Sequence, residues 1–215
     1  MLKALLFDLD ETLYRPACGM LAAGDRRITN FLADRLSLSH EDANELRVHY
    51  YEKYGTTAAG CEIELDIPQA EFYARSVEQV DPDKYLSPAP KLQQMLAGLQ
   101  AELFIFTNAT SRYARRVLDI LGVKQQFERI FDVEFTGWRP KPDPEAYTKV
   151  VEAVGRPAAE CGLVEDNPAN LPPARDLGMT TFLLRADHPD ADYRLDDILD
   201  LPRLLAERET KPADS

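Results

Sequence analysis

The chain has few cysteines and too few positive charges for several classes of protein. Its three cysteines, at positions 18, 61 and 161, are too scattered for a disulfide framework or a cysteine metal site. Isolated free thiols are typical of a reducing compartment. Lys and Arg number 25 against 37 Asp and Glu, which gives a net charge of −12 over 215 residues. We therefore expect no nucleic acid polymer as a partner, because such a partner requires a basic surface.

Long hydrophobic runs are also missing from the sequence. No apolar stretch approaches the roughly 20 residues that a helix needs to span a bilayer. Met1-Leu2-Lys3 leads directly into the first short apolar run, which leaves no room for a signal peptide. These features together predict a cytoplasmic protein that does not associate with membranes.

Four short apolar runs are typical of buried parallel strands, and helix-like segments lie between them. One helix pattern ends before Gly122, and another begins with Asp143 as N-cap and Pro144 in the first turn. This alternation predicts an α/β protein with a parallel sheet flanked by helices. Ligands of such sheets bind beyond the carboxyl ends of the strands. The predicted strands are 4–7, 103–106, 162–164 and 181–184, and the helices are 111–121 and 144–154.

The segment after the first strand has a different pattern, with apolar residues at helical spacing over most of its length. We expect one helix around 28–36, a second that starts at the N-cap Ser39, and a third over 68–77. Residues 14–90 would then form a helical cap inserted into a core made of 1–13 and 91–210. The last five residues, 211–215, are expected to be a disordered tail.

The first candidate site is the segment Asp8-Leu9-Asp10-Glu11-Thr12, directly after the first predicted strand. Two carboxylates at the end of a buried strand are costly unless they bind a cation or take part in chemistry. Asp8 is suited to attack phosphorus and form an aspartyl-phosphate. Asp10 would protonate the leaving alkoxide and then deprotonate water. Thr12 would help to hold the loop.

Two later segments carry groups that such a reaction needs. Thr107 and Asn108 follow the second predicted strand and precede a helix, a natural cradle for phosphate. Lys141 stands between two prolines that restrict its backbone. Its ammonium group would offset the negative charge of Asp8 and of the phosphoryl group together.

A further acidic pair, Glu165 and Asp166, follows the third predicted strand. These acids can complete a shell of oxygen ligands with Asp8 and the backbone carbonyl of Asp10. Hard oxygen ligands beside a phosphate favour Mg²⁺. A bound cation would let an anionic nucleophile approach an anionic phosphate. None of the later segments is specific alone, so the inference depends on their joint order.

In that order, the motifs D-x-D-x-T, T-N, K and E-D resemble those of the haloacid dehalogenase-like (HAD) hydrolase superfamily over nearly the whole chain. The resemblance implies a Rossmann-like core, a small C1-type helical cap and Mg²⁺-dependent phosphoryl transfer through an aspartyl-phosphate. Asp166 best matches the metal-binding acid of that family. Glu165 would contact the metal through water or Lys141 directly. Asp10 favours phosphate hydrolysis over dehalogenation, since dehalogenase relatives lack an acid there.

A closer resemblance is to the pyrimidine 5′-nucleotidase-like subgroup, which implies a small phosphorylated metabolite such as UMP or CMP as substrate. A phosphoglycolate-type or sugar-phosphate phosphatase, a phosphomutase and a non-catalytic phosphate-binding protein stay open as alternatives. Tyr50 and Tyr51 would either stack on a base or pack in the cap. The segments that carry the resemblance are Phe7–Tyr14, Tyr54–Gly60 and Phe106–Ala109.

Two further features of the sequence lead to structural expectations. Pro172 and Pro173 interrupt the helix expected after the acidic pair, so we expect that helix to start late or to be distorted. Cys61, just after Gly60, is expected to be a buried structural residue.

Overall fold

A computed structural model describes residues 1–210 as a parallel sheet with helices packed against it. The strands pair in parallel in the order β3-β2-β1-β4-β5-β6, which confirms the predicted Rossmann-like α/β fold. The predicted tail, 211–215, lies outside the described residues. The strands are β1 (Ala4–Phe7), β2 (Glu102–Phe106), β3 (Arg129–Phe131), β4 (Cys161–Glu165), β5 (Thr180–Leu184) and β6 (Tyr193–Leu195). The helices are α1 (Met20–Leu36), α2 (His40–Tyr54), α3 (Thr57–Leu65), α4 (Gln69–Arg75), α5 (Pro90–Ala97), α6 (Ser111–Leu121), α7 (Pro144–Val154), α8 (Pro172–Asp176) and α9 (Leu201–Thr210).

Strand β1 lies in the middle of the sheet, and every one of its residues is buried. Phe7 stands opposite Ile105 of β2 and Val164 of β4. The Asp8 N–H donates to the carbonyl of Val164 at 2.9 Å, so the pairing continues one residue beyond the strand. Strands β2 and β3 lie on one side of β1, and the later strands β4, β5 and β6 lie on the other. This reversal of strand order places a crevice at the carboxyl end of β1.

The predicted core elements agree closely with those observed. Helix α6 spans the predicted residues and ends at Gly122, whose φ of 73° is in the left-handed region. Helix α7 starts where its cap predicts, because the Asp143 side chain accepts a hydrogen bond from the Glu145 N–H at 2.9 Å. Each predicted strand is present, and three are longer by one or two residues. Strands β3 and β6 are additional, and at three residues each they are too short for a periodic pattern.

The two prolines after β4 delay a helix, as predicted. A short 3-10 turn covers Pro168–Asn170, and α8 begins only at Pro172. Both prolines therefore stand in the first turn of α8, where a backbone N–H has no intrahelical partner to lose. The large penalty for proline inside a helix does not arise here.

Helices α1–α4 lie between β1 and α5 in sequence and pack around an apolar cluster of their own, formed by residues such as Phe31, Leu32 and Phe72. Ser39 caps α2, as predicted, by accepting from the Asp42 N–H at 3.1 Å. Helix α1 is longer than expected, and α3, capped by Thr56, was not predicted. The assignment of residues 14–90 as a separate cap stays a prediction.

The cysteines are free, and two of them, Cys61 and Cys161, are buried. The prediction of a buried Cys61 is confirmed, and burial raises the pKa of its thiol to about 12. No helix within residues 1–210 combines the length and the apolar character needed to cross a membrane.

Gly60 of α3 allows this helix to approach α2 closely. A Cβ atom at Gly60 would lie 2.4 Å from Cγ of Tyr50, and Tyr50 is itself buried. The requirement for glycine here is therefore steric. Of the two alternatives for Tyr50, stacking on a base or packing in the cap, the structure shows packing between the helices.

We expect Gly60→Ala to lower the free energy of unfolding by about 1–3 kcal/mol, because the methyl group overpacks the contact with Tyr50. Gly24→Ala in α1 is the matched control, since a Cβ there meets nothing within 4 Å. That control should gain about 0.5–1 kcal/mol from helix propensity. Urea denaturation of both variants provides the measurement, and a stabilised Gly60→Ala would contradict the close packing.

Candidate active site

The ammonium group of Lys141 bridges two carboxylates at the carboxyl ends of β1 and β4. Its Nζ donates to Oδ1 of Asp8 at 2.8 Å and to Oε2 of Glu165 at 2.6 Å. The side chains of Lys141 and Glu165 are each only 1% exposed. The structure therefore brings together three of the residues that the sequence singled out, and the two that form the first contact are 133 positions apart.

The backbone of Lys141 is held by Asn108 from the end of β2. The Lys141 N–H donates to Oδ1 of Asn108 at 2.6 Å, and Nδ2 of Asn108 donates to the Lys141 carbonyl at 2.9 Å. Gly55 approaches the same carbonyl, which a Cβ would meet at 3.2 Å, and its φ of 79° is left-handed. Asn108 thus orients Lys141 with both atoms of its amide group.

Glu165 uses both of its carboxylate oxygens. Oε2 receives the Lys141 ammonium, and Oε1 accepts from the N–H groups of Asp166 and Asn167 at 3.1 Å each. Of the two positions expected for Glu165, the structure has the direct contact with Lys141. This carboxylate is already satisfied, so it holds the lysine and the following loop in place.

Asp8, Glu165 and Asp166 form a cluster in which one oxygen of each lies within 4.8 Å of the others. Oδ1 of Asp166 accepts from the Thr12 hydroxyl at 3.2 Å. Oδ2 of Asp8 and Oδ2 of Asp166 receive no hydrogen bond from any residue in the described part of the chain. Carboxylates that share one cluster and each have an oxygen without a partner fit a divalent cation such as Mg²⁺.

The pKa values reflect an excess of negative charge at the cluster. Burial raises the pKa of Asp8 well above its ordinary value, and Glu165 and Asp166 add to the rise while Lys141 opposes it. Burial and Glu165 raise the pKa of Asp166 to about 7. Burial disfavours the charged form of Lys141, but Asp8 and Glu165 outweigh it and raise the pKa of the ammonium group. One cation does not balance these acids, which again fits a bound metal.

Asp10 lies apart from this cluster and is held by two tyrosines. Oδ1 of Asp10 accepts hydrogen bonds from the hydroxyls of Tyr14 and Tyr113, the latter at 3.0 Å. Burial raises the pKa of Asp10, and the two hydroxyls offset part of that rise. Neither tyrosine was predicted to have a role at this site. The spacing of four residues from Asp10 to Tyr14 is a signal for one contact, but nothing in the sequence points to Tyr113.

The phosphate-binding residues predicted after β2 lie beside the lysine. Thr107 is buried, and its hydroxyl oxygen accepts from the Ala109 N–H at 3.1 Å. The main-chain N–H of Asn108 donates no hydrogen bond within residues 1–210. An unpaired N–H and a hydroxyl hydrogen at the end of β2 are groups that can bind phosphate oxygens.

A cavity of about 660 Å³ lies between helices α2 and α3 and the loops that follow Arg139 and Asn167. Tyr51 and Trp138 are among its lining residues. The Tyr51 hydroxyl accepts from Nδ2 of Asn167 at 3.1 Å, next to the acidic cluster. Partial loss of contact with water, together with the carboxylates of Asp166 and Glu165, raises the pKa of Tyr51. Unlike Tyr50, Tyr51 is exposed, so its ring is accessible to a ligand.

We expect Lys141→Met to lower the free energy of unfolding by about 3–5 kcal/mol, because it leaves two buried carboxylates facing each other. Urea denaturation in the presence of EDTA measures the effect without metal. Lys124→Met removes a surface ion pair with Asp119 and should cost no more than about 1 kcal/mol. Equal stability of the two variants would show that Lys141 does not balance the site.

Sequence and structure comparisons identify several related proteins. Phosphate metabolism protein 8 of Saccharomyces cerevisiae is 28% identical over 193 residues, covering 82% of this chain and 60% of that protein. Flavin mononucleotide hydrolase 1 of Arabidopsis thaliana is 34% identical over 95 residues, covering 44% of this chain and 38% of that protein. The chain therefore spans less than two thirds of the length of either relative.

The solved structure of a HAD phosphatase from Thermococcus onnurineus has the same fold. It aligns with a TM-score of 0.64 and 22% identity, over 95% of this chain and 98% of that one. The family model of haloacid dehalogenase-like hydrolases matches residues 2–178, a stretch that contains every site residue described above. The chain belongs to the haloacid dehalogenase-like hydrolases.

Proposed function

We propose that this hydrolase is a Mg²⁺-dependent phosphomonoesterase that acts through an aspartyl-phosphate on Asp8, with pyrimidine nucleoside 5′-monophosphates as preferred substrates. The observation that carries the proposal is the position of Asp8 at the end of β1, 2.8 Å from the Lys141 ammonium group. Asp10 lies two residues further on in the chain, and Asp166 belongs to the same acidic cluster as Asp8. The proposed nucleophile and the proposed acid thus both follow β1 at the edge of the sheet that the Lys141 ammonium group occupies.

The reaction would proceed in two steps. Asp8 attacks phosphorus, the ester P–O bond breaks, and the leaving alkoxide takes a proton from Asp10. Asp10, now a carboxylate, takes a proton from water while the water oxygen attacks the phosphorus. The bond to Asp8 then breaks, which restores its carboxylate and releases phosphate. Lys141, the Thr107 hydroxyl and the Asn108 N–H would bind the phosphoryl oxygens.

The free oxygens of Asp8 and Asp166, with the backbone carbonyl of Asp10, would hold the Mg²⁺ ion. The ion supplies positive charge that reduces repulsion between the nucleophile and the phosphate. Thr12 supports this arrangement because its hydroxyl binds the other oxygen of Asp166. Glu165 would act on the metal site only indirectly, through Lys141.

The cavity beside the site supports a leaving group larger than a simple alcohol. We infer that residues 14–90 act as a cap and that Tyr51, which this segment contributes, stacks on the base of the substrate. The name of the Arabidopsis relative states that it hydrolyses flavin mononucleotide, a phosphomonoester with a planar ring system. This likeness supports a phosphomonoester that carries a planar ring as substrate, and it does not distinguish a pyrimidine from a flavin.

The proposal predicts Mg²⁺-dependent release of phosphate from UMP and CMP, with Asp8→Asn reducing turnover to background. The panel should also contain AMP, flavin mononucleotide, phosphoglycolate and a sugar phosphate. Activity confined to phosphoglycolate or a sugar phosphate would keep the mechanism and reject the nucleotidase assignment. Isomerised sugar phosphate without release would indicate a mutase. Phosphate binding without turnover, unchanged in Asp8→Asn, would indicate a binding protein.

Stacking by Tyr51 gives a second prediction. Tyr51→Ala should raise the KM for UMP by about 5- to 150-fold, because base stacking on an aromatic ring contributes about 1–3 kcal/mol. Acetyl phosphate has no base, so its kcat/KM should not change. Tyr51→Phe keeps the ring and loses the contact with Asn167, and it should retain most of the UMP affinity. Equal losses for both substrates would refute stacking.

A further inference from the structure

The two tyrosines on Asp10 have no part in the reaction as proposed above. Tyr14 follows Asp10 in the loop after β1, whereas Tyr113 belongs to α6. Both side chains are buried, with exposed fractions of 8% and 5%. Their hydroxyls converge on the same atom, Oδ1 of Asp10. Two partly buried hydrogen bonds from separate elements fix the position of one carboxylate oxygen.

This arrangement makes the two oxygens of Asp10 chemically different. Oδ1 accepts both hydroxyls, and no residue in the described range 1–210 donates to Oδ2. A carboxylic acid has one proton, and the lone pairs of Oδ1 are already occupied by the two donors. The proton of the acid form therefore belongs on Oδ2. Anchoring from two sides also restricts rotation about χ2, which is otherwise broad for aspartate.

We propose that Tyr14 and Tyr113 are positioning residues that hold Asp10 by Oδ1 and so select Oδ2 as the atom that exchanges protons with the substrate. This inference rests on the proposed function. In the first step Oδ2 gives its proton to the alkoxide as the ester P–O bond breaks. In the second step Oδ2 takes a proton from the attacking water, and the P–O bond to Asp8 breaks.

A substrate whose leaving group needs no proton does not depend on the position of Asp10 in the first step. Comparing it with UMP therefore distinguishes misplacement of the acid from other effects of a substitution. The 5′-alkoxide of UMP is strongly basic and requires a proton as it departs. The anion released from 2,4-dinitrophenyl phosphate is stable without one. The parameter kcat/KM covers the steps up to phosphorylation of Asp8 when that step is irreversible. A misplaced Asp10 should therefore lower kcat/KM for UMP and leave the value for dinitrophenyl phosphate nearly unchanged.

The experiment compares Tyr14→Phe, Tyr113→Phe and the double variant on these two substrates with Mg²⁺. General acid catalysis contributes about 10²–10⁴-fold, so we expect each single variant to lose about 10- to 100-fold in kcat/KM for UMP. The loss for dinitrophenyl phosphate should stay within about threefold, a small part of that contribution. The double variant should lose less than the product of the single losses, because both tyrosines act through one group.

Tyr147→Phe is the matched control, since it also removes a buried hydroxyl, one that donates to the Asn170 carbonyl at 2.6 Å. Any loss in this control should be equal for the two substrates. Thermal unfolding of each variant identifies one that does not fold, in which case the other single variant decides. Equal losses for both substrates in a folded Tyr14→Phe or Tyr113→Phe would overturn the inference.

Asp10→Asn distinguishes failure of the inference from failure of the proposed function. This variant should lose more in kcat/KM for UMP than in kcat/KM for dinitrophenyl phosphate. If Asp10→Asn shows this difference between the substrates and the tyrosine variants do not, the positioning role is refuted and the proposed mechanism is supported. If Asp10→Asn affects both substrates equally, or if wild type hydrolyses neither, the proposed mechanism falls together with the inference.

Discussion

The charge balance at the carboxyl end of β1 depends on the ammonium group of Lys141. Asp8 and Glu165 are both buried and share this cation at hydrogen-bonding distance. Without it, burial and repulsion by Glu165 would raise the pKa of Asp8 still further and favour its neutral form. Asp8 would then lose the negative charge that its proposed role as nucleophile requires. Asp166 has a raised pKa even with the lysine present. The lysine therefore does not neutralise the whole cluster, and a further positive charge would be favourable there.

The surrounding structure serves to keep that lysine in place. Asn108 binds both polar groups of the Lys141 backbone, and Glu165 binds its side chain while accepting two N–H groups of the next loop. These contacts connect the ends of β1, β2 and β4, which are neighbours in the sheet. The parallel order of the strands brings them to one edge. The amide group of Asn108 and the carboxylate of Glu165 each use both of their polar atoms, and such fully used groups rigidify a site.

The helical segment between β1 and α5 also contacts the residues that surround the lysine. Gly55 packs against the Lys141 carbonyl, Tyr73 donates to the Asn108 carbonyl at 2.8 Å, and Tyr51 accepts from Asn167. These contacts join the segment to the loops that carry the lysine and the acidic pair. The residues that support the chemistry and those that line the cavity are therefore physically connected.

The α/β class, the main strands and the capped helices α6 and α7 could be predicted from the sequence, because buried strands and helix caps have local patterns. The sequence also identified Asp8, Lys141, Glu165 and Asp166 as a set, since each follows a strand or precedes a helix. The contacts among them were decided only by the tertiary structure. Short edge strands such as β3 carry too few residues for a pattern, and the hydroxyl of Tyr113 reaches Asp10 across 103 positions. No local pattern encodes such a contact, because it exists only once α6 has packed beside β1.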